Sequence, residues 1–531
     1  MFDLLMTNAH IIDGTGAGAY PADVGVSGGK ITAIAAGLQG DSLRKIDLCG
    51  RILAPGFIDI HRHADAALFL PGFGKAELFQ GITTMINGNC GMSAAPLAPH
   101  SRQEVLGYLS PVIGGLPDGV VFDSFSGYAG LVERTPLALN AGSHIGSGTI
   151  RAAVGGYAEK ALAKDAQKLL HRHLEDALAA GAFGVSVGFS YLPDLYYTPK
   201  ALAGALAPIR GTDIPLVCHV RGEGGLLYES VCEAIQTARL LRVPLHISHF
   251  KCIGRRNWGG LLGKTIRLIE DARGQGLEIT CDVYPWTAGS TQMACLLPPE
   301  FLQGGTARIV ERLMDAKTRG RCREAMRTPS LKYENIVESM GWESIYVSGI
   351  KTEKNRWSVG KSIVEIANIR KVDPYDAAFD LLAEEGCNVT MVDYITCEED
   401  IETILHLDYS SVISDTIYPG SGLPHPRGYG NTAMFLDTYV NKRGTLTLEQ
   451  AIHKLTALPA KTMRIQNKGQ IRVGFDADIV VIEKGGIRGT ADYQNPTRLS
   501  DGVYLAVISG KIALENGELT GDVSGKFIRR G

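Results

Sequence analysis

A histidine pair split by one residue closes the apolar run ILAPGFIDI: His61-Arg62-His63, with Asp65 just beyond. On a strand, residues i and i+2 point the same way, so both imidazoles face one centre. Neutral imidazole is the commonest protein ligand for zinc-like metals. Two more runs end in histidine: IPLVCHV gives His219, followed by Arg221 and Glu223, and PLHISHF gives His249, followed by Lys251. His246 lies three residues before His249, so the two face opposite sides of a strand. The terminal His249 is the better ligand, and His246 reads as a packed or hydrogen-bonded histidine. The run SVISD ends in Asp415. Beside a metal, that carboxylate can take a proton from water and return it to a leaving amine; the alternative is a loop aspartate capping the next turn. Cys90, in Asn87-Gly88-Asn89-Cys90-Gly91 after the run GITTMI, stays open between a zinc thiolate and a small buried residue. Cys218 precedes His219 and points away from it. A second HRH, His171 to His173, acts as a control. It falls in the helical pattern DAQKLLHRHLEDALAA, where two residues are about 200° apart, and reads as solvated surface.

These residues converge only if the runs that carry them lie side by side and end together. Between the two ends of the chain, apolar runs (ILAPGFIDI, GITTMI, ALNAGS, GVSVG, IPLVCHV, PLHISHF, EITCDVY, NVTMVD, SVISD) alternate with helical stretches such as 165–180 and 226–241. That alternation calls for a parallel sheet under helical cover, and its length suits a TIM-type (β/α)8 barrel, whose reactive side chains sit at the C-terminal strand ends. The terminal segments have a different texture. Residues 3–13, 23–36 and 44–53, and again 477–483, 502–508 and 511–515, read as strands, with Asn516-Gly517 as a hairpin turn. They are expected to pair as a small β-sandwich. The resulting division is 1–54 and 466–531 for the sandwich and 55–465 for the α/β barrel, with an insertion at about 286–350.

Composition narrows the partners. At 531 residues the chain exceeds one hydrophobic core. A net charge of −3 argues against nucleic acid or an anionic membrane as partner. No apolar run is long enough to span a bilayer, and the N-terminus lacks the basic-then-apolar pattern of a secretory leader. The ten cysteines are scattered without paired spacing, which points to a reducing cytoplasm. A homo-oligomer is left open.

In order along the chain, His61-x-His63, His219, His249 and Asp415 resemble the ligands and catalytic acid of the amidohydrolase superfamily. No lysine closes a strand between Cys90 and His219, where many members carry a bridging carboxylated lysine; NGNCG instead resembles the N-acyl-D-amino-acid deacylases, in which a cysteine is the ligand. GSHIGSGTIR, GAFGVSVGFSYLPDLYYTP, CHVRGEG, HISHFKCIGRRNWG, DVYPWTAGST, ISDT, PHPRGYG and KGQIRVGFDADIVVI are similar to segments of that family. The resemblance implies zinc-dependent hydrolysis of N-acyl-D-amino acids. Cys90, His219 and His249 would form one tight zinc site, and His61, His63 and Asp415 a second, weaker one. Asp415 would be the general base and acid. Lys251, Tyr191 and Tyr284 match substrate-contacting positions; His144 or Tyr191 would donate to the oxyanion, and Lys251, Arg221 or Arg427 would anchor the substrate carboxylate. Thr416 and Lys200 depart from the family pattern and bear on side-chain preference. The rival readings are a cyclic amidohydrolase acting on rings and, from another class, a metal-free scaffold relative with eroded ligands.

Overall fold

The computed structural model describes residues 1–328, 330 and 333–531. Short buried strands run parallel in two sheets. Phe57–Asp59, Ile82–Asn87 and Asn140–Ser143 form the first. Ile145–Gly146, Val185–Gly188, Leu216–His219, Leu245–Ile247, Ile279–Val283 and Ser410–Val412 form the second, as neighbours in chain order. Backbone hydrogen bonds join the sheets at both margins. At one margin Phe183 N–H donates to Ser143 O (3.0 Å); at the other Asp415 N–H donates to His61 O (2.9 Å) and His63 N–H to Thr416 O (3.0 Å).

Parallel strands are buried on both faces, which is why they read as unbroken apolar runs. One cover is helical. In Lys164–Ala179 the buried residues are Leu170, Leu174 and Ala177, the stripe a one-sided helix requires. Leu227–Leu241 and Gly260–Gly274 repeat the arrangement. On the other side, Ile58, Ile86, Val217 and Ile413, from four different strands or their ends, meet Phe183 in a separate apolar cluster.

The run 388–393 departs from the expected alternation. Its strand, Val389–Tyr394, pairs antiparallel with Ala288–Gln292 and Ile345–Ile350 in a separate three-stranded sheet. A short apolar run looks the same whichever sheet receives it, so periodicity could not assign this one. Among the described residues no helix is long and apolar enough to cross a membrane.

The terminal segments share one nine-stranded sheet, in which Ile479–Ile482 pairs antiparallel with Ile52–Pro55 and so brings the two ends of the chain together. Asn516 and Gly517 both have positive φ (50° and 78°), the conformation a two-residue hairpin of primed type needs. A buried ion pair ties this sheet to the parallel strands. Lys468 Nζ contacts Asp478 and also Asp476 at 3.0 Å. Asn140 Nδ2, on a parallel strand, donates to the same Asp478 carboxylate at 3.0 Å. Lys468 and Asp478 are 8% and 6% exposed, so removing the ammonium strands a buried carboxylate. Lys468→Met is therefore expected to lower stability by about 3 kcal/mol, read as a reduced urea midpoint at unchanged slope. An unchanged midpoint would show that the pair contributes nothing.

Candidate metal centre

Five strand ends deliver the chemically active side chains to one place. His61 and His63 follow Phe57–Asp59, Cys90 follows Ile82–Asn87, His219 ends Leu216–His219, His249 follows Leu245–Ile247, and Asp415 follows Ser410–Val412. Three of them hold backbone conformations that non-glycine residues rarely adopt: φ is 54° at Cys90, 34° at His249 and 52° at Asp415. Each turns the chain sharply as it leaves its strand. Local bonds hold the turns. Asp282 accepts from His249 N–H, His61 O accepts from Asp415 N–H (2.9 Å), and Ser186 Oγ donates to Gly88 O and accepts from Gly91 N–H (3.0 Å), bracing the Cys90 loop. Gly88, at φ 73°, passes so close to the chain that a Cβ there would sit 2.3 Å from His144 O.

The donor atoms crowd together. Cys90 Sγ lies 3.4 Å from His61 Nε2 and 3.5 Å from His249 Nε2, and His219 Nδ1 lies 2.8 Å from His249 Nε2. Cys90, His219 and His249 offer donor atoms all within 4.8 Å of one another, and so do His61, His63 and Cys90. One sulfur among imidazole nitrogens at this spacing fits a zinc-like ion, whose bonds run about 2.0–2.3 Å. Burial alone would push the Cys90 thiol up, but the surrounding imidazoles of His61, His219 and His249 hold it well below the usual thiol range. Burial, then the His249 imidazole, pushes His219 down, toward the neutral form that binds metals. Asp415 Oδ1 stands 3.5 Å from His61 Nε2 and 3.3 Å from His63 Nε2, while its Oδ2 meets Arg427 Nη2 at 3.0 Å. Burial opposes its ionisation, yet Arg427 and the two imidazoles keep the carboxyl well below the usual range.

Behind the donors stands a layer of carboxylates. Glu223 Oε1 bonds His249 Nδ1 at 2.9 Å and Lys251 Nζ at 2.6 Å, aiming Nε2 at the centre. Asp282 Oδ2 lies 2.8 Å from His246 Nε2 and 3.4 Å from His61 Nδ1. His246 thus faces away from the donors, with Thr280 Oγ1 on its other nitrogen at 2.8 Å. The sequence reading did not single out Asp282. A lone acid near the end of the apolar run EITCDVY was the available signal, since a buried charge needs a partner.

The remaining residues singled out from the sequence divide. Tyr191, Tyr284 and Lys251 line the cavity over the donors. Tyr191 Oη is 3.0 Å from Thr291 Oγ1, and its ring packs 4.8 Å from that of His219. Arg427 Cζ stacks 4.7 Å from the centre of the Tyr284 ring, and its Nε and Nη1 have no hydrogen-bond partner. Two expectations need correction. His144 is fully buried, does not line the cavity, and leaves both ring nitrogens unbonded. Its ring sits in the space left by Gly184, where a Cβ would lie 3.1 Å from Nδ1; burial, with the nearby His246, pushes it down to about 3. It is out of reach as an oxyanion donor. Arg221 does line the cavity, but its guanidinium is taken up by Glu233 (2.9 and 3.0 Å) and by the carbonyls of Leu195 (2.6 Å) and Tyr197 (2.9 Å). It has no free fork for a carboxylate. His171 and His173 lie on the helix Lys164–Ala179 and outside the cavity lining; both are half-buried where solvated surface was expected, because His171 Nε2 packs back onto Gln167 Nε2 (2.8 Å) and Gly204 O (3.2 Å).

Known proteins share this architecture. Residues 419–514 match the amidohydrolase family. The chain is 30% identical over 511 residues to an N-acyl-D-glutamate deacylase of Alcaligenes xylosoxydans xylosoxydans, covering 96% of this chain and 93% of that protein. It is 29% identical to a D-aminoacylase of the same organism, over 100% of this chain and 98% of the relative. Among solved structures, an N-acyl-D-glutamate deacylase from Bordetella bronchiseptica, complexed with zinc and a phosphonate mimic of the tetrahedral intermediate, superimposes with a TM-score of 0.83 at 26% identity over 99% of both chains.

The donor spacing leads to an expected outcome for metal affinity. Cys90→Ala is expected to weaken zinc binding by about 100-fold or more, and His63→Ala by far less, in competition with a chromophoric chelator. Equal losses in the two variants would contradict a tight site built on Cys90, His219 and His249.

Proposed function

Since the chain belongs to the N-acyl-D-amino-acid deacylases of the amidohydrolase superfamily, we propose that it hydrolyses the amide bond of N-acyl-D-amino acids, releasing a carboxylate and a D-amino acid. The observation that carries this reading is the meeting of one thiol, four imidazoles and one carboxylate at five strand ends. We read the two parallel sheets as a single (β/α)8 barrel closed by the marginal hydrogen bonds, with 1–54 and 466–531 as a β-sandwich outside it.

Cys90, His219 and His249 would hold a tight zinc, and His61, His63 and Asp415 a second, weaker site. When bound, zinc supplies Lewis acidity that polarises the acyl carbonyl and makes water more acidic. Asp415 accepts the proton of the attacking water. Its pairing with Arg427 suits it to that task, because it is ionised at neutral pH. The protonated carboxyl then passes the proton to the departing amine. Tyr191, at the cavity wall beside His219, donates its phenol to the developing oxyanion, a contribution of about 3 kcal/mol for one well-placed donor. Lys251 and Tyr284, at the cavity wall, anchor the α-carboxylate, and the Arg427 guanidinium stacked on the Tyr284 ring adds its positive charge. Lys251 is the cavity's one lysine among the described residues, and Glu223 already holds its Nζ. The lysine-bridged metal pair of cyclic amidohydrolases therefore lacks its residue, and the intact donor set does not fit a metal-free scaffold.

Asp415→Asn is expected to reduce kcat on an N-acetyl-D-amino acid by roughly 1,000-fold while zinc content is retained. A near-normal rate would remove Asp415 as the base. N-acetyl-D- and N-acetyl-L-amino acids, tested on one sample of measured zinc content, are expected to show turnover of the D series alone. Hydrolysis of hydantoin or dihydroorotate with none of the linear D-amides would overturn the reading.

A further inference from the structure

The wall of the cavity carries four carboxylates, Glu223, Glu334, Asp393 and Asp415. Three are matched. Glu223 holds Lys251 and Asp415 holds Arg427. Glu334 accepts from the backbone N–H groups of Gly224 (3.0 Å) and Leu226 (3.4 Å) and from Ser339 Oγ (3.1 Å). Asp393 is different. It is 2% exposed, and its Oδ1 has no hydrogen-bond partner. It stands on the antiparallel sheet, directly across the ladder from Gly289. The missing side chain at Gly289 makes its place: a Cβ there would fall 2.9 Å from Asp393 Oδ1 and 3.2 Å from Tyr284 Oη. Burial pushes the Asp393 carboxyl up to about 6, against the pull of Lys251 and Arg427, so it is largely ionised at pH 7.5. A buried carboxylate oxygen without a donor is costly, and such an atom beside a cavity marks a place for a donor from a ligand. The same cavity is also lined by Ile253, Leu297, Ile336 and Ile395, apolar side chains against which a methylene stem can pack.

We propose that Asp393 selects the substrate side chain by pairing with an ammonium or guanidinium at its end, so that the preferred substrates are N-acyl derivatives of basic D-amino acids. This rests on the deacylase reading and adds the side-chain class to it. An acidic side chain would instead need a cation of its own. Lys251 and Arg427, beside Glu223 and Asp415, are given to the α-carboxylate in the deacylase reading, Arg221 is held by Glu233, and Asp393 adds repulsion.

The test compares kcat/KM for N-acetyl-D-lysine, N-acetyl-D-leucine and N-acetyl-D-glutamate in the zinc-loaded wild type and in Asp393→Asn. The wild type is expected to favour the lysine derivative over the glutamate derivative by at least about tenfold, and the substitution to lower the lysine-to-leucine ratio by about tenfold. A wild type that ranks glutamate first would overturn the proposal even if the variant failed to fold. So would a lysine-to-leucine ratio unmoved by the substitution, the result expected if Asp393 only shapes the cavity wall and does not meet the side chain. Absence of turnover on every D-substrate would sink the deacylase reading, and this proposal with it.

Discussion

Lone-pair donors meet around one point at the ends of the parallel strands, and the rest of the structure is built to tolerate that crowding. Buried nitrogens and a sulfur within 4.8 Å of one another are unfavourable unless a cation or a shared proton lies between them. The effect on protonation is local and directional. Cys90, facing the imidazoles, is held well below the usual thiol range. Cys218, one residue from His219 but facing away, is pushed well above it by burial. Two residues of the same type, comparably buried, are pushed in opposite directions because one faces the imidazoles and the other faces packing.

The backbone bears part of the load. Cys90, His249 and Asp415 occupy left-handed conformations that cost a non-glycine residue about 1 kcal/mol or more each. Straight strands would leave alternate side chains pointing across the sheet; a sharp turn at the strand end swings the last side chain toward the mouth. The turns persist because Ser186, Asp282 and the His61 carbonyl bond the peptide groups on either side. Asp282 also ties His61 to His246, and Glu223 ties His249 to Lys251, so the orientation of each imidazole depends on carboxylates from other segments.

The parallel strands and the antiparallel sheet divide the cavity between them. The metal-facing side chains come from strand ends, whereas Gly289, Ser290, Thr291 and Asp393 come from the sheet formed by Ala288–Gln292, Ile345–Ile350 and Val389–Tyr394. Chemistry fixed on the parallel strands beside a wall supplied by a separate sheet lets side-chain preference change without moving the reacting groups.

Much of this was legible in the sequence, and for a definable reason. Alternation along a strand and rotation around a helix are local, so His61-x-His63 could be told from the helical His171-x-His173, and His246 from His249. The strands at both termini and the hairpin at Asn516-Gly517 were legible for the same reason. The role of Cys90 was left open by its spacing and came only through resemblance, because a lone cysteine after a strand carries no periodic signal. Other outcomes lay beyond local pattern: that 388–393 joins an antiparallel sheet, that Arg221 turns to Glu233, that His144 sinks beneath Gly184, and that Asp393 reaches the cavity wall. A sequence states which way a side chain faces relative to its own strand. Which strand stands next to it, and which distant charge it meets, is decided only when the packed chain brings segments hundreds of residues apart into contact.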